Sequence, residues 1–224
     1  MGTSVWADFY DYMLPDLPKA PQGLVTRALR DASIEFCEKT CLWIYDHDPF
    51  SAQALVNTYD WAPPSGTLVV KPLQVWYSTT APSFVPGATP GIPLEPATPD
   101  ELSDWYGDWE RQYGQPLYFT HTTPRSVIIV PGPLTSYPNA FRAKVALKPT
   151  RASTGIDSLF LEEYAEALAS GVKARIFAMK TKGLAQPQLA AYHLGLFNEA
   201  IAGANMRADK GFTRARKRVR ASFF

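Results

Sequence analysis

Cysteine is scarce in this chain. Cys37 and Cys41 are the only two among 224 residues. Four positions apart on a helical pattern, they share a face, and helical Cα spacing and Cβ directions make a direct disulfide strained. A reducing compartment is the simplest reading. Histidine is scarcer than most types, with His47, His121 and His193 alone. There is no H-E-x-x-H pattern and no paired C-x-x-C, so the common zinc spacings are missing. Cys37, Cys41 and His47 make a three-ligand set with no obvious fourth partner, and buried helix cysteines with a turn histidine explain them more simply. The chain also lacks a P-loop, a G-x-G-x-x-G and a G-x-S-x-G. Gly114, Gly132 and Gly155 stand singly at turn-like positions. No metal, cofactor or catalytic centre is expected.

Long apolar runs are missing too. No stretch approaches the roughly 18–20 residues of a membrane span. The opening residues, Met1 to Asp8, carry no basic region and no apolar run, so no secretory signal is expected. Trp6 stands where a myristoylation pattern needs Ser or Thr.

What is abundant is proline, aromatic residues and, at one end, positive charge. There are 20 prolines, clustered mid-chain, and aromatics make up 13%. The net charge of +1 hides an asymmetry. Seven bases (Arg207, Lys210, Arg214, Arg216, Lys217, Arg218, Arg220) lie against one late acid, Asp209, which leaves the end at about +6 and the remainder at about −5. An acidic body with a basic end fits an acidic partner, a nucleic acid or a neighbouring subunit. Phe223 and Phe224 close the basic stretch. Two large apolar groups beside arginines are favoured interface anchors, so protein docking is preferred here to a solvated helix end or to nucleic-acid binding.

The apolar periodicity gives the organisation. Residues 1–20 read as an aromatic arm or short helix anchored on the body. Pro21 to Cys41 is the first strong helix, with Val25, Leu29, Ala32 and Phe36 on one face. Short β-like runs follow at Leu42 to Tyr45, Thr67 to Tyr77 (Pro72 marking an edge or bulge), Leu117 to Thr120, Val127 to Val130 and Phe141 to Leu147. Asp48-Pro49 reads as a turn, and Ala81 to Pro99 as a long proline-rich loop. Thr98 and Glu101 form a capping box that opens a short helix ending near Arg111. Asp157 or Ser158 caps a helix to about Lys180, with Leu161, Ala165, Leu168, Val172, Ile176 and Met179 as its stripe. Pro187 opens a third helix. Leu189, Tyr192, Leu196, Ala200 and Gly203 form one face, broadened by Leu194, Phe197 and Ile201. Its small residues Ala200 to Ala204 let another helix approach closely, and the short connection makes the last two helices antiparallel neighbours.

The fold expected is mostly α with a β insertion, an α+β chain in which a helical bundle flanks a small antiparallel β domain. Its parts are 1–41 (arm and first helix), 42–150 (β-rich insertion), 151–211 (C-terminal helices) and 212–224 (basic docking tail). Asp104, Asp108 and Glu110, among Trp105, Tyr106 and Trp109, form the one cluster that invites a hydrolase reading. A solvated helix face beside an aromatic core face explains it more cheaply.

The two ends of the chain carry a resemblance. Trp6 to Cys41, with Leu14-Pro15-Asp16-Leu17-Pro18 before the helix Gln22 to Thr40, resembles the start of tailed-phage adaptor proteins. So does the end, where two helices lead into the stretch Gly203 to Phe212 and a basic tail. The layout is similar to that of the head-to-tail adaptors of short-tailed phages. The resemblance implies a non-enzymatic virion protein of the phage neck or tail, assembled in the host cytoplasm. Identical subunits, usually twelve, would form a ring between the portal protein and the tail nozzle or tail fibre proteins. DNA would pass through the lumen without sequence-specific binding, and no membrane would be involved. Arg214, Arg216, Lys217, Arg218, Arg220, Phe223 and Phe224 would be the portal-docking segment. The alternatives are a nucleic-acid-binding protein using the basic tail and, behind it, the hydrolase.

Overall fold

A computed structural model describes residues 2–79, 91–180 and 184–210. In chain order the strands are β1 Thr3–Val5, β2 Ile44–Ala52, β3 Thr58–Asp60, β4 Thr67–Tyr77, β5 Ile92–Pro96, β6 Tyr113–Gly114, β7 Tyr118–Thr123, β8 Ser126–Val130, β9 Gly132–Pro133, β10 Tyr137–Pro149 and β11 Gly155–Asp157. The helices are α1 Gln22–Thr40, α2 Pro99–Tyr106, α3 Ser158–Phe177 and α4 Pro187–Lys210. They fall into two compact units, residues 1–42 with 149–224, and residues 43–148.

The first unit is built on α1, α3 and α4, each packed on the other two. Val25, Ala28, Leu29, Ala32, Phe36 and Cys37 of α1 are buried at three- and four-residue steps, which is the period that sets them on one face. Phe36 is the hub, with ring centroids 5.1 Å from Tyr164 and 6.1 Å from both Phe160 and Phe197. Gly171 explains how closely α3 and α4 run. A Cβ there would stand 2.8 Å from the Phe197 ring and 3.2 Å from Ala32. Asp157 caps α3 by accepting from the Leu159 N–H at 3.0 Å. Arg175 donates to Gly171 O and Glu35, and lies over the Phe197 ring. The arm packs here as expected. β1 pairs antiparallel with β11, and the 3-10 helix Trp6–Tyr12 buries Trp6 and Phe9. Trp6 Nε1 donates to Ser153 O at 2.8 Å.

The second unit is a seven-stranded sheet in the order β2-β10-β4-β5-β7-β8-β3. β5 and β7 run parallel, whereas β2–β10, β4–β5, β7–β8 and β3–β8 are antiparallel. The sheet is curled so far that its two end strands meet through side chains. Phe50 of β2 lies 5.5 Å from Tyr59 of β3 and stacks on Phe141 at 5.2 Å. His47 Nε2 accepts from the Ala62 N–H at 2.9 Å, so the ring proton sits on Nδ1, which donates to Asp48 O at 2.7 Å. The aromatic interior is completed by Trp61, Tyr77 and Phe119.

The expectation of a mostly helical chain with a small antiparallel β domain is therefore corrected. Among the described residues the protein is an α+β mix with a large seven-stranded mixed sheet. Proline hid most of β2 and all of β5. Asp48-Pro49, expected as a turn, lies inside β2, where the ladder shifts between Phe141↔Phe50 and Ala143↔His47. A bulge on an end strand needs no donor from proline. β5 lies in the segment expected to be a loop. Glu95 and Ala97 donate to Leu117 O and Phe119 O of the β7 side, so Pro96 faces the other way, beyond the last β4 partner at Leu94. The short helix behaves as its capping box requires. Thr98 Oγ1 accepts from Glu101 N–H, and Glu101 accepts back from Thr98 N–H. It stops at Tyr106, not near Arg111, because Gly107 takes φ +65° before a separate 3-10 turn, Trp109–Arg111.

Candidate assembly surface

α4 carries more apolar residues than one core face can use, and the structure shows where they go. Phe197, Ile201 and Ala204 turn inward and are buried. Leu189, Tyr192, Leu196 and Met206 turn outward, at 41%, 61%, 37% and 61% exposure. At 100° per residue these four, with Gly195 and Gly203, occupy one side of the helix. The face expected to be the main one is thus the outer one, and of the residues expected to broaden it Phe197 and Ile201 form the core while Leu194 is exposed. The small residues act accordingly. A Cβ on Gly195 or Gly203 would meet nothing within 4 Å, so neither is needed for packing inside the unit. Met206 was not picked out in the sequence, although it follows Tyr192 by 14 residues, close to four turns, which sets the two on the same side.

Beside this face runs a groove of about 470 Å³ between α3 and α4, lined by Ala167 and Ser170 on one side and Ala200 and Gly203 on the other. Glu163, Glu166 and Arg207 rim it. Arg207 donates to Glu163 at 2.7 Å, and the Tyr164 hydroxyl, with this carboxylate behind it, raises its pKa. Farther along, Lys173 pairs with Asp16 at 2.5 Å and lowers the Asp16 carboxyl. Burial, with Lys173 adding to it, lowers His193.

The other sequence candidates are scattered. Arg214, Arg216, Lys217, Arg218, Arg220, Phe223 and Phe224 lie outside the described residues. Cys37 is buried in α1 and Cys41 half-buried at its left-handed end, both as free thiols. His47 sits in the sheet unit. Among the described residues no group of three or more His, Cys, Asp or Glu side chains could hold a metal ion. Asp104, Asp108 and Glu110 are exposed, and Asp108 lies 3.8 Å from Arg111. Among the described residues no helix is long and apolar enough to cross a membrane.

α4 thus leaves an outward apolar face with an adjoining groove. The model of the SU10 adaptor protein family matches residues 5–220. The chain belongs to the SU10 adaptor protein family. No curated protein matches it. The adaptor resemblance seen at both ends of the chain is thereby shown for nearly its whole length. Membership makes it a structural phage protein, and implies contact with portal and tail proteins and a place in the virion neck.

Proposed function

We propose that this adaptor works as a ring of identical subunits, usually twelve in such adaptors, set between the portal and the tail nozzle or fibres around the DNA path. The observation that carries the reading is the outer face of α4. Four large apolar side chains on one side of a single helix are rarely left in water by a monomer. Contacts of one surface with a different surface of the next copy close into rings. Ring formation needs no catalysis, and the adaptor is read as a non-enzyme.

The portal contact is assigned to the tail, through Arg214, Arg216, Lys217, Arg218, Arg220, Phe223 and Phe224. Charge steers such an encounter and sets register. Burial of two phenylalanines contributes roughly 1.5–3 kcal/mol each before ordering costs, against about 0–1 kcal/mol for an exposed ion pair.

The experiment is addition of the purified adaptor to purified portal rings, with the mass of the complex read by mass photometry. Full rings are expected from the parent chain. Tyr192→Asp with Met206→Asp should leave the fold's stability within about 0.5 kcal/mol and abolish ring completion. Removal of Phe223 and Phe224 should weaken attachment more at high salt than neutralising any one arginine. Undiminished assembly by the Asp variant would overturn the ring reading. Undiminished binding without residues 212–224 would overturn the tail assignment. A basic tail acting on nucleic acid would instead show binding to DNA that falls steeply with salt.

A further inference from the structure

A ring built by one contact needs two different faces per subunit, and the charges of the helical unit indicate which two. Several of its charges are paired internally: Lys39 and Arg175 with Glu35, Arg151 with Asp31, Lys173 with Asp16, Arg207 with Glu163. Arg27 and Arg30 have no acidic partner among the described residues, and both lie on the outer side of α1 with Ile34, at steps of three and four. Arg30 Nε is shielded from solvent and makes no hydrogen bond. Glu162 and Glu166 are likewise unpaired among the described residues and exposed one turn apart on α3, where Glu166 rims the groove to α4. Since α1 packs on both α3 and α4, its outer side and the outer α3–α4 groove point in opposite directions. Opposite placement is what a repeating head-to-tail contact requires.

We propose that the α3–α4 groove of one adaptor subunit seats the outer face of α1 of the next, with Glu162 and Glu166 opposite Arg27 and Arg30. The open space over Gly195 and Gly203 admits the incoming helix, and Leu196 and Ile34 supply apolar contact between the charges. This assignment rests on the ring reading above and adds to it the polarity of the contact: each subunit offers a groove on one side and a helix on the other.

The test uses two charge-reversed chains in the same portal-ring assay at low salt. One carries Glu162→Lys and Glu166→Lys, the other Arg27→Glu and Arg30→Glu. Each alone sets like charges against each other at every contact, and should assemble at least about tenfold more weakly than the parent. An equimolar mixture alternates the two, so every contact again joins opposite charges and full rings should return. Circular dichroism confirms that each chain is helical; if the half-buried Arg30 does not tolerate Glu, Arg27→Glu alone serves. Parent-like assembly by either variant, or a mixture that stays unassembled, would overturn the assignment while leaving rings formed by the parent. A parent chain that forms no ring on the portal would remove the ring reading itself.

Discussion

Single residues decide how the arm and the termini are held. Gly155 stands in β11 where a Cβ would lie 2.2 Å from Ser4 O. Gly155→Ala should therefore force β1 off β11 and cost roughly 1–3 kcal/mol, an overpacking loss, read from the urea midpoint. His121 answers to pH. Its Nδ1 faces Ser126 O at 3.0 Å. Burial lowers its pKa from 6.5, with the Ser126 and Val70 carbonyls opposing that shift. The unfolded chain then binds the proton more readily than the folded one. Stability is full above 6.5 and declines as pH falls below it toward the folded value. His193, lowered by burial and Lys173, adds in the same direction. Thermal melts between about pH 7.5 and pH 5 should show the decline, and His121→Gln should flatten part of it. An unchanged slope in that variant would show that His121 is not a source.

At the scale of elements, the helices and the longer strands β4, β7, β8 and β10 were legible, and the short or proline-bearing strands were not. Thr98 closes its capping box with Glu101, and Thr98→Ala should lose about 1 kcal/mol from the sheet unit in denaturant titration. That cap, the Asp157 cap and Pro187 at the head of α4 are local signals that survive any tertiary context. So is the three- and four-residue burial along α1. The strands that were missed, β3, β5 and most of β2, obey neighbours and not local pattern. β3 is three residues long, β5 carries Pro93 and Pro96, and β2 bulges at Asp48 and Pro49. Each is tolerated only by what lies beside it in the ladder. The candidate surface was half legible. The excess apolar width of α4 was visible, but its two faces were exchanged, since Leu196 and Phe197 are equally apolar and only the approach of Gly171 selects Phe197 for the interior. The unpaired Arg27, Arg30, Glu162 and Glu166 gave no signal at all, because pairing is a property of the folded unit.

On the scale of the whole molecule, each of the two units has its own core. The helical unit is centred on Phe36 and the sheet unit on Phe141. Partner contacts are assigned to the helical unit and the tail, so truncations confined to the sheet should spare ring formation. The chain departs from α1 and returns to α3 at adjoining points: Leu147 N–H donates to Trp43 O at 2.8 Å, and Ala146 pairs with Ile44. A Gly/Ser linker of about five residues, whose span of roughly 12 Å exceeds such a gap, should join Leu42 to Pro149. The resulting helical chain should melt cooperatively by circular dichroism; an unstructured product would show that the sheet is needed for the helices to fold.

That side-by-side exit and re-entry makes the sheet a graft on a stem. Whatever is spliced between Leu42 and Pro149 has only to bring its own two ends within a strand spacing of each other, about 4.8 Å. An insert of this kind can therefore be exchanged wholesale, in length and in sequence, while the ends of the helical unit that carry it keep their spacing.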